Sequence, residues 1–192
     1  MKRRHSCSGR RGFTIIELLV VIAIAATLMV VGVPSFVSFQ RNSELTSTTN
    51  SLVAALSAAR GEAMKRGLSA VVVPATGDDW TTGWVVFIDA DNDQALDTSE
   101  SVIAKQGALA SYFTATGEGT AKDSPPYIMF DPSGYTKTKA ATFRALTLTI
   151  ARNDLTGTAK TEQTRIVVIS KTGRARTCRP AADTTCTASA TE

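Results

Sequence analysis

Residues 13–33 read FTIIELLVVIAIAATLMVVGV, 21 residues that carry a single charge, Glu17. A helix of that length crosses the hydrocarbon core of a bilayer. Five cations precede it, Lys2, Arg3, Arg4, Arg10 and Arg11, and such a basic flank holds the N-terminal side in the cytoplasm. A secretory signal has a shorter apolar stretch with its small-residue cut beyond it. Here the cut that fits lies between Gly12 and Phe13, ahead of the apolar run. It would remove the cations and keep the anchor, so 1–12 is expected to be a cleaved leader and 13–34 a membrane-spanning helix.

An unpaired carboxylate in hydrocarbon is costly, which makes Glu17 a functional candidate with a partner to be found. Cleavage would give Phe13 an α-amino cation one helical turn away. Within a chain the two charges would partly neutralise each other. Between neighbouring chains they would favour docking at a fixed axial offset. The plain alternative is a signal anchor with an interfacial glutamate.

Gly12-Phe13-Thr14-Ile15-Ile16-Glu17-Leu18 resembles the prepilin motif of type IV pilins and type II secretion pseudopilins. The resemblance implies cleavage after Gly12 by a prepilin peptidase, N-methylation of Phe13, and a role for Glu17 in assembly at the bacterial inner membrane. Pro34 stands where many members of that family carry a proline that loosens or bends the helix.

Losing the leader changes the charge balance. Of 21 basic residues five lie in positions 1–12, which leaves 16 against 17 acidic residues. The mature chain is therefore near −1, and whole-chain charge makes no case for nucleic acid. Cys7 also goes with the leader. Cys178 and Cys186 remain, and an even pair in an exported domain reads as a disulfide, against two free thiols or half a metal site.

From 35 to 67 the pattern stays helical but turns amphipathic, with Leu52, Leu56, Ala59 and Ala63 on one face. Glu62 and Arg66 are spaced to pair across a turn, and Gly67 suits a C-cap. Residues 68–180 read as short strands at 69–73, 84–89, 101–104, 127–130, 143–151 and 165–170, separated by Gly, Pro, Asp and Ser. Short connections favour antiparallel pairing. Residues 143–151 alternate around Leu146, Leu148 and Ile150, as a half-buried strand does. The tail, 181–192, is rich in Thr and Ala and reads as loose.

Four further blocks, LVAALSAARGEAMKRG, GWVVFID, IMFDPSG and IVVISKTGRAR, are similar to minor pilins of the FimT/GspH type. The class implied is α+β, type IV pilin-like, with a long N-terminal helix packed on an antiparallel β-sheet domain. Other pilins or pseudopilins in a filament are the implied partners. The globular domain is expected in the periplasm and then in an extracytoplasmic pilus or pseudopilus.

Two local sites stand out. Asp89, Asp91, Asp93, Asp97 and Glu100 occupy positions 1, 3, 5, 9 and 12 of a twelve-residue loop, the ligand spacing of a calcium-binding EF-hand. Position 6, normally Gly, is Gln94, and the loop joins strands rather than helices, so a solvated acidic hairpin is the favoured reading. No other cofactor is suggested. The second site is basic: Arg165, Lys171, Arg174, Arg176 and Arg179 fall in one acid-free stretch. Arg174 and Arg176 share a face if the chain is extended and would meet successive phosphates of double-stranded DNA. The alternative is a charged edge strand that discourages sheet-to-sheet pairing. Gly173-Arg174-Ala175-Arg176 resembles the GRxR element that FimT-like minor pilins link to DNA capture in natural transformation. A GspH-type minor pseudopilin of a type II secretion system is the other function considered. Catalysis is disfavoured: the sole histidine is His5, in the leader, and neither mature cysteine has a histidine to activate it.

Overall fold

A computed structural model describes residues 12–188; residues 1–11, most of the expected leader, lie outside it. The chain forms two compact units, residues 1–41 and 42–192. One helix, α1, Ile15–Arg66, contributes to both and continues through Pro34. It begins at a capping box: Thr14 Oγ1 accepts from the Glu17 backbone N–H at 3.3 Å, and Glu17 Oε2 accepts from Thr14 N at 3.0 Å. This T-x-x-E pattern satisfies two N–H groups that a helix start leaves open. The first unit holds a stretch long and apolar enough to cross a membrane. Its large apolar side chains, among them Phe13, Ile16, Leu19, Leu28, Phe36 and Phe39, are exposed, as expected of a surface suited to lipid or to other helices.

In the second unit α1 packs on β-structure. Leu52, Leu56, Ala59 and Ala63 are buried, and full burial of a leucine side chain contributes about 1.5–3 kcal/mol. Glu62 pairs with Arg66 at 2.7 Å, and Gly67, at φ +68°, closes the helix by donating to Ala63 O.

Nine strands follow: β1 Ser69–Pro74, β2 Trp84–Asp89, β3 Val102–Gln106, β4 Phe113–Glu118, β5 Ile128–Phe130, β6 Thr136–Lys137, β7 Leu146–Arg152, β8 Thr164–Ile169 and β9 Ala175–Cys178. They form two sheets, ordered β3-β2-β1-β5-β6 and β4-β7-β8-β9, and every pairing between strands is antiparallel. Alternation assigns the faces. Val72, Val86, Ile128 and Phe130 of the first sheet share one core with Leu148, Ile150, Val167 and Ile169 of the second and with Leu45, Leu52 and Leu56 of α1. Val71, Val85, Phe87 and Met129 form a second cluster. Ile166, Val168 and Cys186 form a third.

Two expectations are corrected here. β7 is not half-buried: Thr147 and Ala151 are buried as well as Leu146, Leu148 and Ile150. Over Thr147 the covering group is the C-terminal segment, which is tied down at Cys186 and Ala188. Cys178 and Cys186 form a disulfide, Cys186 packs on Ile166 and Val168, and Thr147 Oγ1 donates to Ala188 O at 2.6 Å. Residues 189–192 of that tail lie outside the described residues.

Candidate functional site

The second sheet ends in an edge strand, β9, which carries Arg176, and the turn before it carries Arg174. A tight turn joins β8 to β9: Gly173 N donates to Ser170 O at 2.9 Å, and Ser170 N donates to Arg174 O at 3.0 Å. Gly173 sits at φ +76°, where a side chain is strained. Beyond the turn Ala175 faces Ile169 and Arg176 faces Val168 in register. Ala175 packs toward the main core, so Arg174 and Arg176 share the opposite face. They line a shallow cleft with Val168, Ser170 and Thr172. Arg174 is exposed and Arg176 half-buried.

One residue with no assigned role in the sequence holds this turn in place. Arg60 leaves α1 and donates through Nε to Gly134 O at 2.9 Å and through Nη2 to Thr172 O at 3.1 Å. It thereby clamps the turn after β5 to the turn before β9. Space is the second constraint. A Cβ on Gly173 would lie 1.9 Å from Gly134 O, and one on Gly134 would lie 2.8 Å from Met64 Sδ. Three of the sequence blocks, on α1, at DPSG and at KTGRAR, thus meet around one guanidinium. The available signal was a cation beside Ala59 and Ala63 on the packing side of an otherwise small-residue stretch.

The five basic residues do not act as one set. Lys171, Arg174 and Arg179 are exposed. Arg165 is only 8% exposed and donates to Glu162 O, Thr164 O and Asn42 Oδ1 at 3.0–3.1 Å. It is removed from the exposed basic face because the β8 register turns it into a cleft beside α1, away from Ile166 and Val168 of the outer face. Burial lowers its pKa, and the charge of Arg179 pushes the same way.

In the acidic loop Asp89, Asp91 and Asp93 bring carboxylate oxygens within 4.8 Å of one another. Asp89 is buried and accepts from Asn92 N at 2.7 Å and Gln94 N at 3.2 Å. Burial raises its pKa, against the effect of those N–H groups. Glu100 accepts from Ala90 N and Asp97 N. Gln94 adopts φ +68°, the backbone conformation for which an EF-hand uses Gly. The carboxylates nevertheless hold the loop by taking its own N–H groups, as in an Asx-type turn.

A family model described as type II transport protein GspH matches residues 48–173. The chain belongs to the GspH family. A second model, the prokaryotic N-terminal methylation motif, matches residues 7–33. Among solved structures the fold is similar to the type IV minor pilin FimU of Pseudomonas aeruginosa PAO1. One crystal form gives 23% identity and a TM-score of 0.57 over 76% of this chain and 95% of that one. Another gives 21% identity and 0.51 over 72% and 94%. It is also similar to the minor pseudopilin EpsH of the Vibrio cholerae type 2 secretion system, at 16% identity and 0.52 over 71% and 98%. At these identities the likeness concerns the fold. No curated protein matches the chain. The GspH-family chain is thus a minor pilin or pseudopilin with a membrane-anchoring N-terminal helix, a structural subunit that assembles with other pilins.

Proposed function

We propose that this GspH-family subunit is a FimT-like minor pilin of a type IV pilus, and that it holds double-stranded DNA through Arg174 and Arg176 during uptake for natural transformation. The observation that carries this reading is the shared outer face of Arg176, on the edge strand, and Arg174, in the turn before it, a turn that Arg60 clamps. Preorganised guanidinium groups make short, charge-assisted bonds to phosphate oxygens, and such contacts position DNA without reading its sequence. Lys171 and Arg179, both exposed, extend the field on either side.

Assembly follows from the other end. A prepilin peptidase would cut between Gly12 and Phe13, Phe13 would be N-methylated, and Glu17 would meet the α-amino group of a neighbouring Phe13. The basic leader would keep that side cytoplasmic and place residues 42–192 in the periplasm before incorporation. The family description favours a second reading, a minor pseudopilin of a type II secretion system, in which the arginines need not touch DNA.

Arg174→Gln with Arg176→Gln discriminates between the two. Gel shift of a short duplex by the full chain in non-ionic detergent is expected to weaken by roughly tenfold or more, as loss of two charge-assisted contacts requires. Unchanged binding, or none by the parent chain, would favour the secretion reading.

A further inference from the structure

Among the described residues two arginines are strongly buried, and they are treated differently. Arg152, 2% exposed, is paired with Asp154, its Nη2 lying 2.6 Å and its Nε 2.9 Å from the two carboxylate oxygens. Arg165, 8% exposed, has only neutral acceptors, the carbonyls of Glu162 and Thr164 and the side chain of Asn42. Among the described residues it forms no ion pair. A buried cation without a counter-charge is costly, and proteins ordinarily pair it or bind an anion to it.

Arg165 lies in a cleft of about 340 Å³ between α1 and the disulfide loop, lined also by Thr46, Asn50, Thr177, Arg179 and Asp183. Arg179 is exposed, so it supplies a second cation toward the opening, close enough for the two charges to repel. The Cys178–Cys186 disulfide fixes the backbone on both sides of Arg179 and Asp183. Asp183 is the acidic residue of the lining. Its Oδ1 already accepts from Thr185 N and Thr185 Oγ1, bonds that hold its pKa down with a smaller contribution from the charge of Arg176. Among the described residues neither Arg165 nor Arg179 forms an ion pair with Asp183, so the cleft sets two cations against one carboxylate already engaged by Thr185.

We propose that this cleft is an anion site that takes one phosphate group, held by Arg165 at its floor and Arg179 at its rim. Two guanidinium groups offer forked donors that match a tetrahedral oxyanion. The phosphate can be free or part of a nucleic-acid strand. The site is separate from the outer face of Arg174 and Arg176, and it does not depend on the DNA reading.

The test is thermal melting of the full chain in non-ionic detergent while inorganic phosphate replaces chloride at constant ionic strength and pH. The parent chain is expected to show a saturable rise in Tm of about 2–4 °C. Arg179→Gln, a change at the exposed rim, should shift the midpoint of that titration roughly tenfold to higher phosphate. Arg174→Gln, at a residue outside the cleft lining, should leave it in place, so that failure of the DNA reading and failure of this one give different results. A short duplex that displaces phosphate would identify a strand phosphodiester as the source, and one that does not would identify free phosphate. Absence of a saturable rise, or an equal rise in Arg179→Gln, would overturn the proposal.

Discussion

Glu17 has a capping role and a proposed assembly role, and the two separate experimentally. In the single chain its carboxylate caps α1 by accepting from Thr14 N and Thr14 Oγ1; in the filament it is proposed to meet a neighbour's N-terminus. Glu17→Ala removes both contacts, whereas Glu17→Gln keeps the capping geometry and removes the charge. Leader cleavage, followed by the size change on immunoblot, is expected to persist in both variants. Incorporation into sheared filaments is expected to fall in both. Recovery of incorporation in Glu17→Gln would assign the residue to capping alone. Gly173 is the other position where one residue governs a larger arrangement. Gly173→Ala places a Cβ 1.9 Å from Gly134 O at a φ of +76°. The expected cost is roughly 2 kcal/mol or more in unfolding free energy, seen as a lower Tm, together with weaker duplex binding as the clamp on β9 loosens.

At the scale of elements, strong periodicity was legible and weak periodicity was not. The face of Leu52, Leu56, Ala59 and Ala63 and the strand at 84–89 read directly from side-chain spacing. β4, FTATGE, was missed because it is Thr- and Ala-rich and contains Gly117. That glycine fits because a Cβ there would meet Ala121 O at 2.1 Å, a tertiary reason that no local window contains. The helix Gly157–Glu162, here α2, has no buried residue, so no apolar stripe announces it. The tail looked loose because its composition is polar, yet a disulfide and one hydrogen bond to Thr147 draw it over β7 and β8. Arg165 reads with the exposed arginines in the sequence because spacing along the chain does not reveal the side of a strand that a helix covers. The acidic loop between β2 and β3 supports a further expectation. Its carboxylates are engaged with backbone N–H groups, so calcium in the millimolar range is expected to shift Tm by less than about 2 °C. A larger, saturable shift would make the loop a cation site.

For the whole molecule the organisation separates assembly from recognition. The exposed apolar helix of the first unit supplies the anchor, and the basic groups of the second unit lie at the other end of the sequence, on β9 and the disulfide loop. The N-terminal methylation motif covers the first of these, and membership of the GspH family accounts for the sheet architecture. The arginines are what would distinguish a DNA-holding subunit from one that serves secretion. The most direct measurement is the salt dependence of duplex binding by the full chain in non-ionic detergent, compared with the Arg174→Gln, Arg176→Gln variant. Each phosphate neutralised contributes about −0.9 to the slope of log K against log salt concentration. The parent chain should show a steep negative slope, and the variant a slope shallower by about two. Parallel slopes with equal affinity would contradict the assignment of Arg174 and Arg176 to DNA phosphates.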